Sequence, residues 1–411
     1  MLTQAVPQRF IGLDIHKKYF VAAGVDAKLN QVLGPQEAPM RHLERWAKKN
    51  LSHEDAVVVE MTTNTYVVYD TLQPLVHSVT VVHPPHVALI VRAQVKTDKK
   101  AALNLAQLHA AGLLPGVWIP PVEVRELRAL IAHRRKMVKL SSIAKCRLHA
   151  LLHRHDMELP EGWEPFSEDM RVWWEHLKVS PLEKHCLTSD LATLDFAKSQ
   201  VEFIERAIKE IAAKDERIPL LVQITGIGLL TAITILSAIG EISRFPSAKQ
   251  LVGYAGLGAR VHASGETFTT GRITKAGRKE LRWAMVEAAH HAVIDHPHFK
   301  VEYERLCKTI GKKKAMVAIA RKLLVVVWHL LSKGASDKFA NPVQVACSMF
   351  AFAHRVRVKN LPNGMSALQF TRSQMDRLGI GQNVLVVPWG TKSYKLPPST
   401  LKQDEVQTSQ A

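Results

Sequence analysis

Residues 8–115 alternate short β-branched apolar runs with helical patterns, and that alternation leaves few folds open. "RFIGLDIHKKYFVAAGVDAKLNQVLG" (residues 9–34) reads as two alternating strands, with a turn near Asp14–Lys18 or Asp26–Asn30. "DAVVVEMTT" is a further run that ends in Glu60, and "HSVTVVHPP" is another, stopped by Pro84 and Pro85. Helical patterns lie between them, around 40–50 and 66–75. Buried strands need helices to cover them, so this segment predicts an α/β sheet layer.

Past Ile119 the pattern changes to long helices. Residues 125–154 predict a basic helix in which Leu127, Leu130, Ile131, Val138 and Leu148 form an apolar stripe. A second helix, about 189–215, steps Leu194, Ala197, Val201, Ile204, Ile208 and Ile211 by three and four. That coiled-coil seam suits either a helical hairpin within the chain or a contact between two copies.

From Pro219, "LLVQITGIGLLTAITILSAIGEI" gives helix, a Gly226-Ile227-Gly228 turn, and helix. This is the shape of a helix-hairpin-helix, whose glycines let backbone N–H groups approach a phosphate. The same turn also serves plain packing. A helix capped by Ser247 follows, then the loop "GARVHASGETFTTGRITKAG" and basic helices at 278–294 and 312–332. Residues 390–411, polar with paired prolines, read as disordered.

The formal net charge of +18 is spread along the chain, which favours an extended polyanion as partner over a membrane surface. "LLVVVW" (323–328) is too short to span a bilayer, and the N-terminus has no secretory pattern. Cys146, Cys186, Cys307 and Cys347 lie far apart, which argues against a zinc site or disulfide framework and for reduced thiols in a cytoplasm. None of the 20 histidines shows metal-ligand spacing. Aromatic content of 6% disfavours a base-stacking single-strand binder.

Three acids stand out. Asp14 sits inside "IGLDI", where a carboxylate is costly unless it is paired, turn-forming or metal-bound. Glu60 ends its apolar run. Asp98 begins a helix among Lys96, Lys99 and Lys100, where Thr97 or Asp98 would also serve as an N-cap. Convergence of the three at one sheet edge would make an oxygen site for Mg²⁺ or Mn²⁺, with the lysines gripping phosphate.

"IGLDIHKK", "VVVEMTTNTY", "VKTDKKAALNLAQL" and "ITGIGLLTAITILSAIGEISRFPSAKQLVGYAGLGARVHASG…ITKAG" fall in order at matching separations. Over roughly 8–335 the chain resembles transposases of the insertion sequence 110 family, the bridge-RNA-guided DEDD recombinases. The resemblance implies a RuvC-like (RNase H-like) α/β domain at 8–118 and a helical, coiled-coil arm at 119–217. A mainly α transposase domain at 218–340 carries the helix-hairpin-helix-like motif, and 341–411 is an extension with no counterpart. It also implies metal-binding catalytic roles for Asp14, Glu60 and Asp98 and a nucleophilic role for Ser264, with Mg²⁺ or Mn²⁺ as cofactor.

The implied reaction is RNA-guided cleavage and exchange of DNA strands through a covalent phosphoserine. The implied partners are donor and target DNA, a guide RNA, and a second copy of the chain, as a dimer or a tetramer of two dimers. Pairing of copies would let the serine of one serve the acids of another. The expected location is a bacterial cytoplasm, at the nucleoid. Expected nucleic-acid contacts are Lys96, Lys99, Lys100, Arg134, Arg135, Lys136, Gly226, Gly228, Arg260, Arg272, Lys275, Arg278 and Lys279. His262 is a candidate base that the resemblance does not support.

One departure bears on activity. The family pattern places a second aspartate a helical turn after Asp98, and here that position is Ala101. Thr63 likewise replaces a usual glycine. A junction-resolvase-like nuclease and a disabled nucleic-acid-binding variant therefore stand beside the recombinase as alternatives.

Overall fold

The computed structural model describes residues 6–85, 87 and 97–401. The chain divides into two compact units, Met1–Pro121 and Val122–Ala411.

In the first unit, β1 (Arg9–Ile15), β2 (Tyr19–Asp26) and β3 (Gln31–Pro39) form an antiparallel meander. Strands β4 (Asp55–Glu60) and β5 (Ser78–Val82) extend it in parallel, giving the order β3-β2-β1-β4-β5. Both turns that the sequence left as alternatives are used, so residues 9–39 make three strands where two were expected. The second turn is held by the Asp26 carboxylate, which accepts from the backbone N–H groups of Lys28 and Asn30 at 2.8 and 2.9 Å.

The period-two pattern divides the sheet's faces. Ile11, Leu13, Ile15, Val57, Val59 and Val81 are buried with Leu43 and Ala47 of α1 (Leu43–Asn50) and Val68 and Leu72 of α2 (Thr65–Leu72). The opposite face buries Val58 and Val82 against Leu105, and Val21 and Ala23 against Ala102, both on α3 (Asp98–Ala110). Gly12 lets that helix lie close. A Cβ there would fall 2.1 Å from the Ala102 carbonyl oxygen and 2.7 Å from the Ala106 nitrogen. Asp55, fully buried, is neutralised by a two-pronged Arg9 guanidinium at 2.6 and 2.7 Å, which ties β1 to β4.

In the second unit, α4 (Val122–Arg154), the short α5 (Arg171–Glu175) and α6 (Pro181–Lys214) form a helical hairpin. The ion pairs Arg134–Glu205, Arg147–Asp190 and Arg154–Glu183 run in opposite numerical directions, so α4 and α6 are antiparallel. Leu194, Ala197, Ile204 and Ile208 are buried within the unit, Val201 is half-buried, and Ile211 is exposed. The 194–211 seam therefore closes a hairpin within the chain and is mostly withdrawn from any partner. Instead Phe196 and Phe203, a heptad apart, are 54% and 62% exposed.

The remaining helices share one core. They are α7 (Arg217–Val222), α8 (Leu229–Ile239), α9 (Ala248–Tyr254), α10 (Lys279–Asp295), α11 (Pro297–Ile310), α12 (Lys312–Lys333), α13 (Pro342–Arg355) and α14 (Ala367–Arg377). Leu127, Leu130 and Ile131 of α4 pack on the same core. By contacts, the arm and the C-terminal extension thus belong to one unit with the segment between them. Helix α12 is long and apolar enough to cross a membrane, yet Ile319, Leu323, Leu324 and Val327 are buried in this core.

The reading of 390–411 as disordered is corrected for its first part. β8 (Val386–Trp389) pairs with β9 (Lys392–Lys395), and Leu396 is buried. The Arg372 guanidinium donates to the carbonyls of Pro397, Gly381 and Val384 at 2.7, 3.0 and 2.5 Å, anchoring the segment that follows β9. Residues 402–411 lie outside the described residues.

Candidate active site

Register alone places the first two acids. Leu13 pairs with Val59 in the parallel β1–β4 ladder, so Asp14 and Glu60 stand at the next step on neighbouring strands. They share the face of Gly12 and Val58, the one covered by α3. At the start of α3 the Thr97 hydroxyl accepts from the backbone N–H of Lys100 and caps the helix. Capping by Thr97 leaves the Asp98 carboxylate available for other partners, which resolves the N-cap question raised by the sequence.

The Tyr19 hydroxyl donates to Asp98 Oδ2 at 2.8 Å, and this bond raises the phenol's pKa above its ordinary 10.0. His16, in the turn between β1 and β2, stacks on Tyr19 at 4.6 Å. Its Nε2 lies 3.6 Å from Asp14 Oδ2 and 3.4 Å from Asp98 Oδ2. Ligand atoms of Asp14, His16 and Asp98 lie within 4.8 Å of one another. The turn is fixed by the His16 N–H donating to the Tyr19 carbonyl at 2.9 Å and by Asn64 Nδ2 donating to the His16 carbonyl at 3.1 Å. Sequence reasoning missed both His16 and Tyr19. The Asp-x-His spacing on a strand that turns immediately afterwards was the available signal.

Ser264 belongs to the second unit. The expected loop is a β-hairpin, β6 (Ala259–Ser264) with β7 (Thr267–Ile273), and Ser264 pairs with Thr267 at its tip. Gly265, at φ +55°, and Glu266 make the two-residue turn. Ser264 and His262 are both exposed and, two residues apart on one strand, share a face.

The expected nucleic-acid contacts divide. Lys99, Lys100, Lys136, Arg260, Arg272, Lys275 and Lys279 are exposed. Lys96 lies outside the described residues. The Arg134 guanidinium is held by Glu205 at 2.5 and 2.8 Å, a contact within the unit, while Arg135 is exposed and lies 3.4 Å from Glu280. Arg278 is half-buried, and its backbone N–H donates to the Tyr254 carbonyl. Gly226, at φ +91°, is a packing position: a Cβ would fall 2.3 Å from the Ala288 carbonyl oxygen. Gly228 precedes α8 beside a cavity of about 510 Å³ that is also lined by Arg355 and His291.

Two family models match the chain. One, a DEDD transposase model of the IS110 group, covers residues 11–156. The other, described as transposase IS116/IS110/IS902 family, covers residues 218–304. Together they take in more than half of the sequence. The chain belongs to the IS110 transposase family.

Among similar proteins of known kind is a transposase for insertion sequence element IS1111A from Coxiella burnetii. It is 24% identical over 79% of this chain and 90% of the relative. A transposase for insertion sequence element IS1328 from Yersinia enterocolitica is 24% identical over 68% and 84% of the two chains. A pilin gene-inverting protein from Moraxella bovis is 27% identical over 62% and 73%.

Membership of the IS110 family makes the acidic cluster a candidate for a divalent metal, and the residues fit one. Ligands bound at about 2.0–2.2 Å to a common ion stand roughly 3–4 Å apart, the spacing found between His16 and the two aspartates. At the position where the resemblance leads one to expect a further acid, one turn beyond Asp98 on α3, stands Ala101, half-buried.

Proposed function

We propose that this chain is the recombinase of an insertion sequence, cutting and rejoining DNA strands through a phosphoserine at Ser264. The convergence of Asp14, His16 and Asp98 at the carboxyl end of β1, with Glu60 in register beside Asp14, carries the reading. In this reading the first unit is RuvC-like, and Asp14, Glu60 and Asp98 hold Mg²⁺ or Mn²⁺. Such an ion supplies Lewis acidity to a phosphoryl oxygen and stabilises a leaving alkoxide. Tyr19 fixes the rotamer of Asp98, as a hydrogen-bond partner behind a metal ligand does.

Ser264 Oγ attacks the scissile phosphorus, forming an O–P bond as the bond to a deoxyribose oxygen breaks. The proton lost by the serine is balanced by the one gained by the departing hydroxyl. A hydroxyl from another strand then attacks the phosphoserine and regenerates the side chain, so the bond energy is conserved without an external energy source. The reading requires the acids of one copy and a serine of the same or another copy to serve one phosphodiester.

An RNA encoded beside the reading frame supplies sequence choice by base pairing, and the exposed lysines and arginines supply salt-sensitive phosphate contact. Donor and target DNA are the substrates, in a bacterial cytoplasm at the nucleoid. In this reading copies of the chain pair as a dimer or as two dimers. Ala101 favours one second reading, a chain that binds nucleic acid but does not exchange strands. Strand exchange with Mg²⁺, the flanking RNA and both DNAs distinguishes the two. Exchange by this sequence supports the recombinase, whereas exchange only after Ala101→Asp supports the disabled form.

A further inference from the structure

We propose that His16 is a metal ligand of this site, taking the place of the carboxylate absent at Ala101 and shifting the preferred ion from Mg²⁺ towards Mn²⁺. This rests on the preceding reading that Asp14 and Asp98 hold a divalent ion. His16 Nε2 is an inaccessible ring nitrogen that makes no hydrogen bond. It stands 3.4 Å from Asp98 Oδ2 and 3.6 Å from Asp14 Oδ2, within ion-pair distance of both carboxylates but hydrogen-bonded to neither. An ion between the two carboxylates would give Nε2 the partner it lacks.

The ring is held where a ligand would have to be. It stacks on Tyr19 with the planes 24° apart, and the His16 backbone is tied on one side to the Tyr19 carbonyl and on the other to Asn64. Tyr19 in turn donates to Asp98, so one aromatic side chain orients two ligands. Ordering of this kind reduces the entropy lost when an ion binds.

The ligand set sets the ion class. Mg²⁺ demands near-ideal octahedral oxygen coordination, while a first-row transition ion such as Mn²⁺ accepts an imidazole nitrogen more readily. Two or three carboxylates plus one imidazole favour Mn²⁺ over Mg²⁺ more than four carboxylates would. A neutral imidazole supplies the donor atom that Ala101 cannot, but not its charge, so the site carries one negative charge fewer than four acids would give it.

Mn²⁺ bound to the full-length protein, with no DNA or RNA present, provides the test. Pulsed electron paramagnetic resonance is expected to show ¹⁴N coupling to the bound Mn²⁺ in the wild-type chain, lost in His16→Ala. Affinity in His16→Ala is expected to fall at least the roughly tenfold that even an outer-shell partner is worth. In Ala101→Asp the same His16→Ala change is expected to cost less, because a carboxylate again supplies the fourth ligand. Mn²⁺ bound in an Asp14-dependent manner but without nitrogen coupling would overturn the histidine assignment while leaving the acidic metal site standing. Absence of any Asp14-dependent binding would overturn both. The wild-type spectrum decides the matter even if His16→Ala fails to fold.

Discussion

Tyr19 and Asp98 lie 79 positions apart in sequence and share a 2.8 Å hydrogen bond, phenol to carboxylate, across the β2–α3 contact. The bond stabilises the protonated phenol, so Tyr19 is expected to titrate above 10.0 in the wild type and to return towards it in Asp98→Asn. Ultraviolet absorbance of the tyrosinate, compared with Tyr19→Phe, measures this. The sign follows from linkage: a raised folded pKa gives stabilisation that is complete below the ordinary 10.0 and lost as pH climbs through the raised value.

Gly12→Ala is expected to push α3 off the sheet, because the new Cβ would overlap backbone atoms of Ala102 and Ala106. Overpacking of this kind costs about 1–3 kcal/mol. Because Asp98 rides on α3 and Asp14 on β1, the same change is expected to weaken Mn²⁺ binding beyond what the stability loss explains. Denaturant melts and metal titrations on the same protein separate the two effects.

The α/β layer and the long helices were legible because period-two and period-3.6 patterns are local, and the strand register brings two of the expected acids, Asp14 and Glu60, to neighbouring strands. Which of two turns the chain uses after β1 was not, since Asp14–Lys18 and Asp26–Asn30 both carry turn residues and both are used. The seam at Leu194–Ile211 was legible as a seam, but its partner, α4 of the same chain, is a tertiary fact. His16 escaped because its role depends on Asp98, brought up by a helix packing on Gly12. The order in 390–401 escaped for a similar reason: Arg372 and Asp376 hold that segment from a distance.

The Glu302 carboxylate bridges Arg305 at 2.8 Å and Lys322 at 2.6 Å, clamping α11 to α12, and these partners hold its pKa down to about 2. A depressed acid contributes stability that is full above its ordinary 4.5 and lost as pH falls towards 2. Glu302→Gln is therefore expected to be less stable than wild type at pH 7. The difference should shrink between pH 4.5 and 2, as read by denaturant midpoints.

Arg134 and Lys136 separate structure from binding. Arg134→Ala removes the partner of Glu205 and is expected to lower the melting temperature while leaving the salt dependence of nucleic-acid binding nearly unchanged. Lys136→Ala is expected to do the reverse, reducing the slope of log affinity against log salt by up to about one.

Trapping of the protein on its own DNA ends tests the central claim most directly. Wild type, with Mn²⁺ or Mg²⁺, the transcript of the flanking segment and labelled junction DNA, is expected to give a protein–DNA adduct that peptide mass spectrometry assigns to Ser264. That adduct should vanish in Ser264→Ala and in Asp14→Asn. Cleaved DNA with free termini and no attached protein, persisting in Ser264→Ala, would contradict the account.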